Sequence, residues 1–165
     1  MKKVLYPGSF DPITYGHMDV VRQALKTYDK VIIGIFVNSS KNSGLFTLEE
    51  REKIIKEIYL NEPKIEVISC DKNVATVDIA LANGCDTIVR GLRDLTDFAS
   101  EINMAALNLQ ISNEKVNTVA YFANPANVTI SSSMVKEVFR LGKDISPFVH
   151  PIVKREIIKK FEEVS

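Results

Sequence analysis

The sequence predicts an α/β fold, a doubly wound sheet of five mainly parallel strands with helices on both faces. Short apolar, β-rich runs alternate with segments in which apolar residues recur every three or four positions. Residues 31–37 are an almost unbroken β-branched run, as in a strand covered on both faces. No Ser/Pro-rich linker, repeat or low-complexity stretch interrupts the alternation, so residues 1–165 read as one domain. Such alternation implies right-handed crossovers and places ligands beyond the carboxyl ends of the strands.

Residues 3–6 make the first strand, halted by Pro7-Gly8, and Met18, Val21, Leu25 and Tyr28 then share one helical face. Residues 31–37 make the second strand, expected at the centre of the sheet. Thr47-Leu48-Glu49-Glu50 is a capping box that opens a helix with Ile54, Ile55 and Ile58 inward. A third strand over 65–69, a short helix over 77–82 stopped near Gly84, and a fourth strand over 87–89 follow. Phe98, Ile102, Ala105 and Leu109 space the next helix, and residues 117–122 make the fifth strand. Met134, Val135 and Val138 mark a helix after a serine run, and a last helix starts at Pro151 and runs through Ile157 and Phe161.

Lys and Arg together number 21, as do Asp and Glu, so the chain has no overall field with which to grip nucleic acid. A hydrophobic share of 45% supplies a core and is too high for a disordered tail. Cys70 and Cys85 form no C-x-x-C pair and have no histidine neighbours, so neither zinc nor a disulfide framework is signalled. The apolar run before Pro7 is too short for a secretory signal, and no later run approaches membrane-spanning length; a reducing cytoplasm is expected.

Four polar clusters follow strands. Tyr6-Pro7-Gly8-Ser9-Phe10-Asp11-Pro12-Ile13-Thr14-Tyr15-Gly16-His17 enters the first helix, whose N–H groups and dipole favour an anion, with His17 as an added donor. A Pro/Gly loop with a capping histidine explains the same residues. Arg90-Gly91-Leu92-Arg93 offers two guanidiniums to phosphate oxygens or is a solvated basic turn. In Ile130-Ser131-Ser132-Ser133-Met134-Val135-Lys136 one serine suffices as a cap, and three suit a second phosphate cradle. Asn38-Ser39-Ser40-Lys41-Asn42-Ser43 adds a loop lysine at the cleft edge. Convergence of the four favours a phosphoanhydride substrate. No G-x-S-x-G elbow or Cys–His pair supports a hydrolase, and His150 before Pro151 reads as structural. No carboxylate or histidine cage is visible, so Mg²⁺ is expected to arrive on the nucleotide's own phosphates.

Together, the Thr14-x-Gly16-His17 signature, Arg90-Gly91-Leu92-Arg93 and Ile130-Ser131-Ser132-Ser133-Met134-Val135-Lys136-Glu137-Val138 resemble the bacterial phosphopantetheine adenylyltransferases. The similarity extends through Phe46-Thr47-Leu48-Glu49-Glu50-Arg51 and on to Asp97-Phe98. It implies a Rossmann-like nucleotidyltransferase fold, AMP transfer from ATP to 4′-phosphopantetheine, a need for Mg²⁺, and a homohexamer. It also implies that Ser9 touches both substrates and that His17 stabilises the transition state, aided by Lys41 and Arg93. Phe10 would lie beside the nucleotide, Arg90 and Lys41 would meet the pantetheine phosphate, and Thr76 the pantetheine arm. Gly91, Leu92, Arg93, Glu101, Asn127, Val128, Thr129, Ile130, Ser131, Ser132 and Ser133 fall on ATP-binding positions. The chain departs from the family at Asn42, where a second loop lysine is usual, and at Ser100, Asn127 and Ala75-Thr76.

The chemistry needs little. A phosphate monoester is mostly dianionic near pH 7, its second pKa being about 6, so the attacking oxygen requires no base. In-line attack on the α-phosphorus is expected, with His17, the first helix N-terminus, Lys41 and Mg²⁺ stabilising the added charge. A different acceptor, such as nicotinate mononucleotide or a polyol phosphate, would keep that mechanism. A non-catalytic nucleotide-binding module would bind ATP without releasing pyrophosphate.

Overall fold

The computed structural model describes residues 1–37, 44–70 and 73–164. Five strands, β1 (Lys3–Gly8), β2 (Lys30–Phe36), β3 (Ile65–Cys70), β4 (Thr87–Leu92) and β5 (Asn117–Phe122), form one sheet in the order β3-β2-β1-β4-β5. Every neighbouring pair is parallel. Six α-helices are described: α1 (Tyr15–Ala24), α2 (Leu48–Ile58), α3 (Thr76–Ala82), α4 (Leu95–Ile111), α5 (Ser132–Arg140) and α6 (Pro151–Val164), with a 3₁₀ turn at Pro125–Asn127.

Alternation along the strands divides the core. Val4, Tyr6, Val31, Ile33 and Ile35 face one side with Val21, Ile55, Val135 and Ile157 of the helices. Leu5, Ile32 and Ile88 face the other with Val77, Ala80 and Val116. The central strand is β1, not the 31–37 run. The chain lays β2 and β3 outward on one side, then returns to dock β4 on the other edge of β1. Both strands are covered on two faces, so their composition cannot separate them.

Two strand ends move relative to the sequence reading. The first strand runs through Pro7-Gly8, still in register with Gly34 and Ile35 of β2. Pro7 has no N–H to give, and toward β4 the register is carried by Leu5↔Ile88 alone, with the Pro7 carbonyl accepting from Arg90. The fourth strand continues past Val89, because Arg90, Gly91 and Leu92 pair with Ala120, Tyr121 and Phe122. Where β1 and β4 part, the sheet reverses its winding, and the cleft opens there.

The Thr47 capping box forms in full: Glu50 N–H donates to Thr47 Oγ1 at 3.2 Å and Thr47 N–H to Glu50 Oε2 at 2.8 Å. Ile54 and Ile55 are buried beneath it. Gly84 takes the left-handed φ of 74° just past α3. His150 Nδ1 accepts the Ile152 N–H at the start of α6, a structural role. Tyr28 lies in the turn beyond α1 rather than on it. The apolar residues of α4 depart furthest from a covered helix: Phe98 is 51% and Ile102 53% exposed, and Asn108 is the helix's buried residue.

Candidate active site

The β1–α1 loop is built around Phe10. Its backbone is left-handed at φ 47°, and its buried ring stands edge-on to Tyr6 at 5.2 Å and to His17 at 5.1 Å between centroids. Gly8 is required beneath that ring, since a Cβ there would lie 2.9 Å from a ring carbon. The loop is tied to the start of α2 by Asp11, whose carboxylate oxygens accept the Leu45 and Phe46 N–H groups at 2.8 Å each.

Thr14 caps α1, and His17 closes a capping box with it: Thr14 N–H donates to His17 Nδ1 at 3.0 Å. A Nδ1 that accepts a backbone N–H puts the ring proton on Nε2. Burial, then the positive charges of Arg90 and Arg93, lowers the His17 pKa to about 4. Near pH 7 the ring is therefore a neutral Nε2–H donor. The capping reading of His17 is met on Nδ1, and the ring's N–H is left on Nε2, in the lining of the cleft.

Both arginines are clamped by carboxylates. Arg90 donates from Nε to both Glu101 oxygens at 2.9 Å, from Nη2 to Oε1 at 2.7 Å, and from Nη1 to the Pro7 carbonyl at 2.7 Å. Arg93 donates to Asp97 from Nε at 2.9 Å and Nη2 at 3.2 Å, and from Nη1 to the Ile130 carbonyl at 3.1 Å. Each guanidinium keeps part of its five N–H donors for a ligand, held in a fixed plane. The serine run divides: Ser131 caps α5 by accepting the Met134 N–H, Ser132 donates to the Pro12 carbonyl, and Ser133 is exposed. The cradle thus has fewer free hydroxyls than the sequence suggests, because two serve the cap and the loop.

A cleft of about 290 Å³ joins these groups, lined by Ser9, Phe10, Gly16, His17, Arg90, Gly91, Arg93, Glu101, Asn127, Ile130, Ser131 and Ser132. A second, of about 470 Å³, shares Pro7, Gly8, Ser9, Arg90 and Glu101 with it and continues past Thr76, Met104, Ala105 and Asn108. Leu92, Val128, Thr129 and Ser133 line neither. Leu92 ends β4, while Val128 and Thr129 sit in an exposed turn. Lys41 lies outside the described residues. Sequence reading missed the contact of Asp97 with Arg93 and the place of Asn108 in the lining of the second cleft. Asp97 carried a signal, four residues after Arg93 and three after the helix-capping Asp94. Asn108 carried none.

Among the described residues no group of three or more histidines, cysteines and acids could hold a metal ion. The cleft's carboxylates, Asp97 and Glu101, are both engaged by arginines. Nor is any described helix long and apolar enough to cross a membrane.

Residues 5–138 match the family described as Cytidylyltransferase-like. A phosphopantetheine adenylyltransferase of Lachnoclostridium phytofermentans is 40% identical over 161 residues, covering 98% of this chain and 96% of that one. One of Alkaliphilus metalliredigens is 41% identical over 160 residues, covering 97% and 99%. A Vibrio parahaemolyticus crystal structure, assigned as a nicotinate-nucleotide adenylyltransferase, superposes with a TM-score of 0.63 over 96% of this chain and 99% of its own. At 21% identity that likeness speaks for the fold alone. With fold, paired clefts and end-to-end identity in agreement, this chain belongs to the phosphopantetheine adenylyltransferase family of cytidylyltransferase-like proteins.

Proposed function

We infer that this protein transfers AMP from ATP to 4′-phosphopantetheine, releasing pyrophosphate and forming dephospho-CoA. One observation carries the reading: two clefts meet at Pro7–Ser9, Arg90 and Glu101, so ligands in them would have their reactive ends side by side. The first cleft, with His17 and the helix ends, suits a nucleotide triphosphate. The second, with Thr76, Met104 and the Asn108 amide, suits an amide-bearing, partly apolar arm.

In the step itself, a phosphate oxygen of phosphopantetheine forms a bond to the α-phosphorus while the bond to the α–β bridging oxygen breaks. Pyrophosphate leaves with that electron pair, and no proton is removed from the dianionic nucleophile. The His17 Nε2–H and the remaining N–H donors of Arg93 line the first cleft, where they would meet the α-phosphate as charge builds; Arg90, at the junction of the clefts, would hold the incoming phosphate. His17 acts as a neutral donor, so it stabilises charge without competing for a proton. Lys41 joins them on the strength of the family resemblance. Mg²⁺ comes as part of the Mg·ATP substrate. By the family resemblance the protein is read as cytoplasmic and as a homohexamer, and the exposed apolar residues of α4 support self-association.

The test is pyrophosphate release from ATP and Mg²⁺ with phosphopantetheine, nicotinate mononucleotide or glycerol phosphate as acceptor. Release is expected with phosphopantetheine alone. Release with another acceptor instead overturns the substrate, and ATP binding without release overturns the transferase.

A further inference from the structure

Arg51 belongs to the motif that carried the family resemblance, yet neither cleft touches it. It is 7% exposed. Its Nη1 donates to the Ser9 carbonyl at 2.7 Å and to the Phe36 carbonyl at 3.3 Å, and its Nε to the Thr47 carbonyl at 3.3 Å. A buried guanidinium is costly to desolvate, and lysine or glutamine at this site could not span the same carbonyls. Its hydrogen bonds reach three segments: the β1–α1 loop, the end of β2 and the cap of α2.

The carbonyl it holds most closely is that of Ser9, one of the residues that line both clefts. Ser9 sits between Gly8, packed under the Phe10 ring, and Phe10 itself, whose left-handed backbone is uncommon for a non-glycine residue. A turn of that shape persists only where its surroundings fix it, and the Arg51 donor is one such restraint. We propose that Arg51 is a positioning residue for adenylyl transfer, its buried guanidinium setting the Ser9 turn so that the two clefts meet in reacting geometry.

This rests on the transfer reaction inferred above, and its test has one arm that does not. In the full chain, Arg51→Met keeps the bulk and removes the donors, while Arg51→Lys keeps a charge and reaches fewer carbonyls. For Arg51→Met we expect kcat to fall on the order of 10²-fold, with KM for ATP within about threefold, because misplacement of reacting groups costs rate more than binding. Arg51→Lys falls between it and the parent. Amide hydrogen exchange of the peptide spanning residues 7–14 should quicken about tenfold in Arg51→Met, with peptides from β5 and α6 unchanged. Unchanged exchange at 7–14, equal quickening along the whole chain, or unchanged kcat would each overturn the proposal. Should the parent protein fail to use phosphopantetheine, the transfer reading falls and the catalytic part of the proposal with it, while the exchange comparison still decides whether Arg51 holds the Ser9 turn.

Discussion

The His17 ring is committed on one side, since Nδ1 accepts the Thr14 N–H, and its depressed pKa leaves Nε2–H as a donor across the neutral range. Replacing His17 by Ala should therefore lower kcat on the order of 10²-fold or more while ATP affinity changes little, as steady-state and binding measurements would show. His17→Gln, whose amide oxygen can keep the capping box, should melt closer to the parent than His17→Ala does, separating the helix from the chemistry. The same ring has a pH signature in stability. Unfolded His17 takes up a proton near its ordinary 6.5, whereas the folded ring resists until about 4, so the unfolded state binds more protons between those values. Stability is lost as pH falls through that window, and denaturant titrations at pH 7 and pH 4.5 should show a smaller loss for His17→Gln. An equal loss in both proteins would place the acid sensitivity elsewhere.

Elements depend on contacts that a single sequence shows unevenly. The Thr47 capping box was legible because both partners lie within one turn, and Thr47→Ala should cost about 1 kcal/mol in thermal or denaturant unfolding. Gly91 read as a loop glycine beside two arginines. In the structure it lies in β4 under α1, where an added Cβ would stand 3.0 Å from Val20 Cγ2. Overpacking there should make Gly91→Ala less stable by about 1–2 kcal/mol, and should shift the helix that bears His17. A stability equal to the parent's would show that α1 gives way freely. The two arginines were visible as a pair, and Asp97, four residues after Arg93, carried a signal, but the backbone partners did not: the Pro7 and Ile130 carbonyls lie 83 and 37 positions away from their donors.

At the scale of the molecule, α4 bears apolar residues on one face that its own chain leaves uncovered: Leu95 84%, Phe98 51% and Ile102 53% exposed. Such a surface is unusual on a monomer, and sedimentation at micromolar concentration should show an assembly that the double change Phe98→Glu and Ile102→Glu dissociates. A monomeric parent would sink the homohexamer. Periodicity found that helix correctly and could not say whether its apolar face meets this chain or another. The alternation of strands and helices, the parallel sheet, the capping boxes and the clusters at the ends of β1 and β4 and after β5 were all set by residues close in sequence, where periods of two and 3.6 and turn chemistry act. What only the tertiary structure decided depends on distant residues meeting. These are the central place of β1, the parting of β1 from β4 that opens the cleft, the Pro7 and Ile130 carbonyls that hold Arg90 and Arg93, and the reach of Arg51 to Ser9. Local pattern fixes which segments form, whereas the side on which β4 returns, and hence which polar groups converge, is chosen by packing of the whole chain.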